Sequence, residues 1–245
     1  MGWFSGSSKN NPFEMFSESH VIVLAILFIV SAAIFLFRRK LRRLYLRFVE
    51  ISLAITLIIF ETLYQIWQVQ NEIWNRSSSI PLELCNISLF LTIILLFTRR
   101  RIFYEILLFT GLLGASQALF TPILSYDFPH FRFLHFFFTH LMMIWVPLYF
   151  TWVQRYRPTI WSVIKLFVFL NVLMPLILFI NKLTDGNYMF LSRKPESTSL
   201  LDYLGPYPYY IISMEGLLIC LSLIVWLLFR EKSTAKEKKP KSFSN

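Results

Sequence analysis

The sequence predicts an all-α fold: a polytopic membrane bundle of seven transmembrane helices, N-terminus outside and C-terminus cytoplasmic. Three observations lead there. Hydrophobic residues make up 56% of the chain and charged residues 16%, with a mean hydropathy of +0.57, a balance that soluble domains do not show. Seven apolar stretches each approach the ~20 residues a helix needs to cross a bilayer. Finally, the basic residues sit in short runs between those stretches, predominantly in alternate connections.

In chain order, residues 1–19 form a polar, turn-rich N-terminal segment with no basic leader before a cleavable small-residue site, so no signal peptide is expected. The Met1-Gly2 start fails as a myristoylation signal because Gly6 stands where Ser or Thr is needed. The predicted spans lie at about 20–37, 46–69, 80–98, 102–121, 134–153, 159–181 and 207–229, making 20–229 one transmembrane domain. Arg99, Arg100 and Arg101 alone separate the third span from the fourth, which requires a tight antiparallel hairpin. Residues 230–245 are a basic tail, expected to be solvated and able to lean on anionic lipid.

Charge orients the bundle. Arg38, Arg39, Lys40, Arg42, Arg43 and Arg47, then Arg99 to Arg101, then Arg155 and Arg157, then Arg230, Lys232, Lys236, Lys238, Lys239 and Lys241 all fall on one side. The other side holds Lys9, Arg76, Arg132, Lys182, Arg193 and Lys194. The positive-inside rule makes the first side cytoplasmic, and the short loops fit a multi-pass protein of the cell (cytoplasmic) membrane. The net charge of +10 is thereby explained without nucleic acid as a partner. Glu50 and Glu105 follow Arg47 and Arg101 by three and four residues, a spacing for pairs at the inner interface.

Polar side chains gather at the outer ends of the spans. His20, His130, His135 and His140 all lie there, with Glu61, Gln65, Gln68, Gln117, Asn181, Tyr209, Tyr210 and Glu215. Polar groups from several helices at one depth in a membrane imply a shared cavity. Cys85 enters from the same side between Glu83 and Asn86, at roughly 7–8 Å depth by helix rise, and His140 lies roughly 9 Å down. A thiol and an imidazole at matching depth can form a nucleophile–base pair, although a lone membrane cysteine is also a common packing residue. With only Cys85 and Cys220, both thiols are expected to be free. His135 and His140 are five apart, about 140° around a helix, so they are poor co-ligands; no metal site and no cofactor is expected. The loop at 182–206 keeps Tyr188, Met189, Phe190 and Leu191, apolar content that predicts a lid folded over the cavity.

The succession IPLELC (80–85), GASQALFTP (114–122), HFFFTH (135–140) and DGNYMFLSRKP–SLLDYLGPYPYY (185–210) resembles the YwaF-type bacterial integral membrane proteins. The likeness covers the chain from about 20 to 229. That family is distantly similar to an animal membrane acyltransferase that moves acyl chains between phospholipids through a cysteine in an LPL-x-LC motif and a histidine on a later span. The resemblance implies those roles for Cys85 and His140. The animal enzyme and many of the bacterial relatives carry a histidine before the cysteine in that motif, where this chain has Glu83.

Three functional classes follow. In an acyltransferase or acyl hydrolase acting on membrane lipid, His140 activates Cys85 and polar groups such as Gln117 or Asn187 hold the oxyanion; Glu61, Glu83, Asn86, His20 and Tyr188 complete the candidate cavity. In a carrier or sensor the same cavity binds a solute without chemistry. In a membrane partner protein the polar groups only fix helix packing. The oligomeric state is left open by the sequence.

Overall fold

Seven long helices alternate in direction in the computed structural model, which describes residues 3–6, 12–195 and 200–231. They are α1 (Glu18–Leu36), α2 (Arg47–Gln70), α3 (Leu84–Thr98), α4 (Arg101–Phe120), α5 (Phe131–Trp152), α6 (Ile160–Thr184) and α7 (Tyr209–Phe229). Lys9 and the basic tail at Lys232, Lys236, Lys238, Lys239 and Lys241, with its expected lean on anionic lipid, lie outside the described residues.

Contacts between helix ends show the alternation directly. At one end, Arg42 beyond α1 donates to the Trp152 and Val153 carbonyls at the close of α5. There too the start of α2 meets the end of α3 through Glu50 and Arg99, and Lys165 on α6 reaches Glu105 on α4. At the other end, His20 in the first turn of α1 meets the Leu119 carbonyl near the close of α4, and Tyr188 after α6 meets Ile80 before α3. We call these the basic end and the loop end.

α3, α4 and α5 form the buried centre, with Leu89, Leu95, Leu107, Leu108, Phe109, Met143 and Phe150 in its core. α1, α6 and α7 are apolar all round and stand outside it. Phe28, Ile29, Trp161, Val172, Phe179, Ile212 and Leu228 are exposed, an apolar surface that suits lipid and not water.

Six of the seven helices are long and apolar enough to cross a membrane; α3, at 15 residues, is shorter than that. Its length of about 22 Å falls short of a ~30 Å hydrocarbon core. The predicted third span began at residue 80, but Ile80 to Glu83 are not helical. Pro81 has no N–H to contribute, and Glu83 accepts from the Met189 backbone N–H instead of capping its own helix. At its far end α3 stops where Arg99 turns left-handed, with φ of 52°.

α4 is not regular. Thr110–Ala115 forms a π-helical turn, and Gly111 there lies so close to the Met143 carbonyl of α5 that a Cβ would collide with that backbone. Pro147, four residues beyond Met143, has no N–H to bond that carbonyl. Glycine on α4 and proline on α5 thus permit close contact between these two helices.

Candidate functional site

Among the described residues, polar side chains at the loop end fall into hydrogen-bonded groups, three of which tie elements of the fold together. In the first, His20 is fully buried. Its Nδ1 accepts from the Phe16 N–H at 3.0 Å, so its Nε2 bears the proton and donates to the Leu119 carbonyl at 2.8 Å. His20 is a tether between α1 and α4, with both ring nitrogens engaged.

The second cluster joins α2 to α5. Arg132 donates to Nδ1 of His135 at 3.3 Å, and His135 Nε2 lies 3.2 Å from Glu61, which also accepts from Gln65 at 3.0 Å. Tyr64 stacks on the His135 ring with centroids 4.4 Å apart, and the Arg132 guanidinium lies over Tyr64. Glu61 is therefore paired, as a membrane carboxylate must be. The 74 residues separating it from His135 hid that pairing in the sequence.

The third cluster comes from the N-terminal segment, which sequence composition presents as merely polar. Trp3 and Phe4 pack on Phe131, and the Phe4 carbonyl accepts from Trp67. His130 accepts from the Arg132 N–H through Nδ1 and donates from Nε2 to the Ser5 carbonyl at 2.8 Å. Burial, with the Arg132 charge adding to it against the Ser5 bond, holds the His130 imidazole below its ordinary pKa and favours its neutral form. The two aromatic residues in a polar stretch were the signal for this plug.

The loop after α6 is packed on the bundle. Tyr188 and Leu191 are buried against Ile177, Ile80, Leu82 and Leu173. The Tyr188 hydroxyl accepts from Ile80 N–H at 3.1 Å and donates to the Arg76 carbonyl at 2.8 Å, while Asn181 brackets the Tyr188 backbone. Asn187 spends its side chain on Ser192 and Arg193 within its own turn. Its Oδ1 accepts from the Ser192 and Arg193 N–H groups and one N–H of its amide donates to the Arg193 carbonyl. Gln117 is exposed and joins none of these clusters. A cleft at the basic end is lined chiefly by arginines.

Cys85 and His140 remain. Cys85, a free thiol like Cys220, is half-buried against the central core in the first turn of α3. His140 is buried on α5, which packs against α3, and its ring lies 4.2 Å from that of Phe136 by centroids. α5 begins at Phe131, three residues before the predicted start, so His140 lies about 13 Å along it by helix rise.

Two further observations bear on chemistry. His140 Nδ1 lies 2.7 Å from the Phe136 carbonyl, which only accepts, so Nδ1 carries the proton and Nε2 the lone pair. The other three histidines use both ring nitrogens, whereas Nε2 of His140 has no hydrogen bond among the described residues. Around Cys85, the first backbone N–H of α3 to find a partner is that of Ile87, on Glu83. The N–H groups of Leu84, Cys85 and Asn86 make no hydrogen bond among the described residues, and Glu83, turned to Met189, does not cap them. Free amides at a helix start favour negative charge beside them. Asn86, half-buried, adds a side-chain amide on the same turn.

A family model described as the TMEM164 family, a family of membrane proteins, matches residues 15–226. No curated protein and no solved structure matches the chain.

Proposed function

The chain belongs to the TMEM164 family, and from that premise we propose that this multi-pass membrane protein is a lipid acyltransferase or acyl hydrolase using Cys85 and His140. The resemblance to YwaF-type proteins, and through them to a phospholipid acyltransferase, enters as part of this proposal. So do seven spans, an outward-facing loop end and residence in the cell membrane. The alternating helices and the basic residues gathered at one end support that orientation.

The observation that carries the reading is the His140 tautomer. Of the four histidines, His140 keeps an unbonded lone pair among the described residues, and it does so on the helix packed against the one bearing Cys85. In the proposed reaction the Cys85 thiol gives its proton to His140 Nε2 as Sγ attacks the ester carbonyl of a membrane lipid. The oxyanion forms beside the free N–H groups of Leu84, Cys85 and Asn86. Collapse breaks the ester C–O bond, His140 returns the proton to the leaving lysolipid oxygen, and an acyl-thioester remains on Cys85. A lysolipid hydroxyl or water then attacks the thioester, transferring the acyl chain or hydrolysing it. Glu83 contributes by joining the start of α3 to the Met189 backbone of the loop, and Tyr188 by holding that loop against Ile80.

The test is acyl transfer from labelled phospholipid to lysophospholipid by purified protein in vesicles. Cys85→Ser and His140→Gln are each expected to lower the rate by at least about a hundredfold, the scale of a lost nucleophile or general base. Cys220→Ser should leave it unchanged. Wild-type transfer that persists in Cys85→Ser contradicts the assignment.

A further inference from the structure

The basic end of the bundle holds a basin lined by Arg38, Arg39, Arg42, Arg101, Arg155 and Arg157, with Glu231 as its one carboxylate. The six arginines come from three separate parts of the chain: the α1–α2 connection, the first residue of α4, and the α5–α6 connection. A rule that places basic residues in cytoplasmic loops requires no such convergence. Like charges from distant parts of a chain repel, and gathering them in one hollow is unfavourable unless something negative enters it.

The arginines fall into two groups. Arg42 donates to the Trp152 and Val153 carbonyls, Arg157 to the Thr151 carbonyl at 2.9 Å, Arg38 to the Phe35 carbonyl, and Arg101 to the Arg157 carbonyl while pairing with Glu105. These bonds to backbone carbonyls, several at the closing turns of α1 and α5, fix guanidiniums whose remaining N–H groups stay available. Arg39 and Arg155 make no hydrogen bond or ion pair among the described residues, and both are exposed. Arg155 also holds a φ of 62°, a left-handed backbone position uncommon outside glycine. Slight desolvation and the surrounding Arg155, Arg38, Arg157 and Arg39 hold Arg42 below the ordinary arginine value.

We propose that this basin is a binding site for a phosphate-bearing anion, carried either on a membrane-lipid headgroup or free in solution. Several planar guanidinium forks directed into one hollow match the oxygens of a phosphate, which accepts paired N–H donors. The site is independent of the Cys85 chemistry and lies at the opposite end of the bundle.

Full-length protein in detergent tests this by thermal unfolding. The probes are mixed micelles containing phosphatidic acid, the same micelles with phosphatidylcholine, and inorganic pyrophosphate alone. Phosphatidic acid is expected to raise Tm by several degrees over phosphatidylcholine, as a ligand of the folded state must. A pyrophosphate effect of similar size assigns the site to a free phosphate, and its absence to a lipid headgroup. The double variant Arg39→Gln/Arg155→Gln, which removes the two arginines without protein partners, should bind at least tenfold more weakly. Lys40→Gln/Arg43→Gln removes the same charge outside the basin and should bind as wild type. The proposal is overturned if neither phosphate probe exceeds phosphatidylcholine, or if the two double variants weaken binding equally.

Discussion

Glu50 shows what a single buried residue organises at the basic end. Its carboxylate accepts two bonds from Arg99, at 2.6 and 2.8 Å, and others from Arg47, Tyr149 and Gln154. It thereby joins the start of α2 to the ends of α3 and α5. The Arg47 pair and the Arg101–Glu105 pair were legible as helix spacings. Arg99 and Lys165 were not, because their carboxylates lie 49 and 60 residues away in sequence. Removing the acid leaves Arg99 and Arg47 partly able to regain water, so Glu50→Ala is expected to cost about 2–3 kcal/mol. A fall of several degrees in Tm in detergent checks this; an unchanged Tm would show the network to be dispensable. The histidines teach the same lesson. Sequence depth places all four at one end and pairs His140 with Cys85, and hydrogen-bond partners show the other three engaged through both ring nitrogens.

At the scale of elements, apolar runs and charge clusters located the helices, and the misses have identifiable causes. The third run was read as helix from residue 80. Pro81 and the bond from the Met189 N–H to Glu83 keep its first residues extended, and this places Cys85 among free amides at a helix start. The start of α5 was placed late because His130 to Phe133 read as loop. His130 in fact caps the helix, its Nδ1 accepting from the Arg132 N–H. The π turn of α4 arises from contact with α5 at Gly111 and Met143, which no local pattern records. The loop after α6, by contrast, was legible from composition, since Tyr188 and Leu191 could not stay in water and are buried in the structure.

For the whole molecule, seven alternating helices gather basic residues at one end and place Cys85 near the other. The sidedness has its own test in a background lacking both native cysteines. Arg76→Cys is expected to react with a membrane-impermeant maleimide in intact cells, and Arg100→Cys only after permeabilisation. The reverse pattern would place the loop end in the cytoplasm. The chemistry is tested most directly by the intact mass of purified protein after incubation with phospholipid. The account predicts one added acyl chain, released by hydroxylamine as a thioester is, present in Cys220→Ser and absent in Cys85→Ser. No adduct on wild-type protein, or an adduct of the same mass that persists in Cys85→Ser, would contradict it.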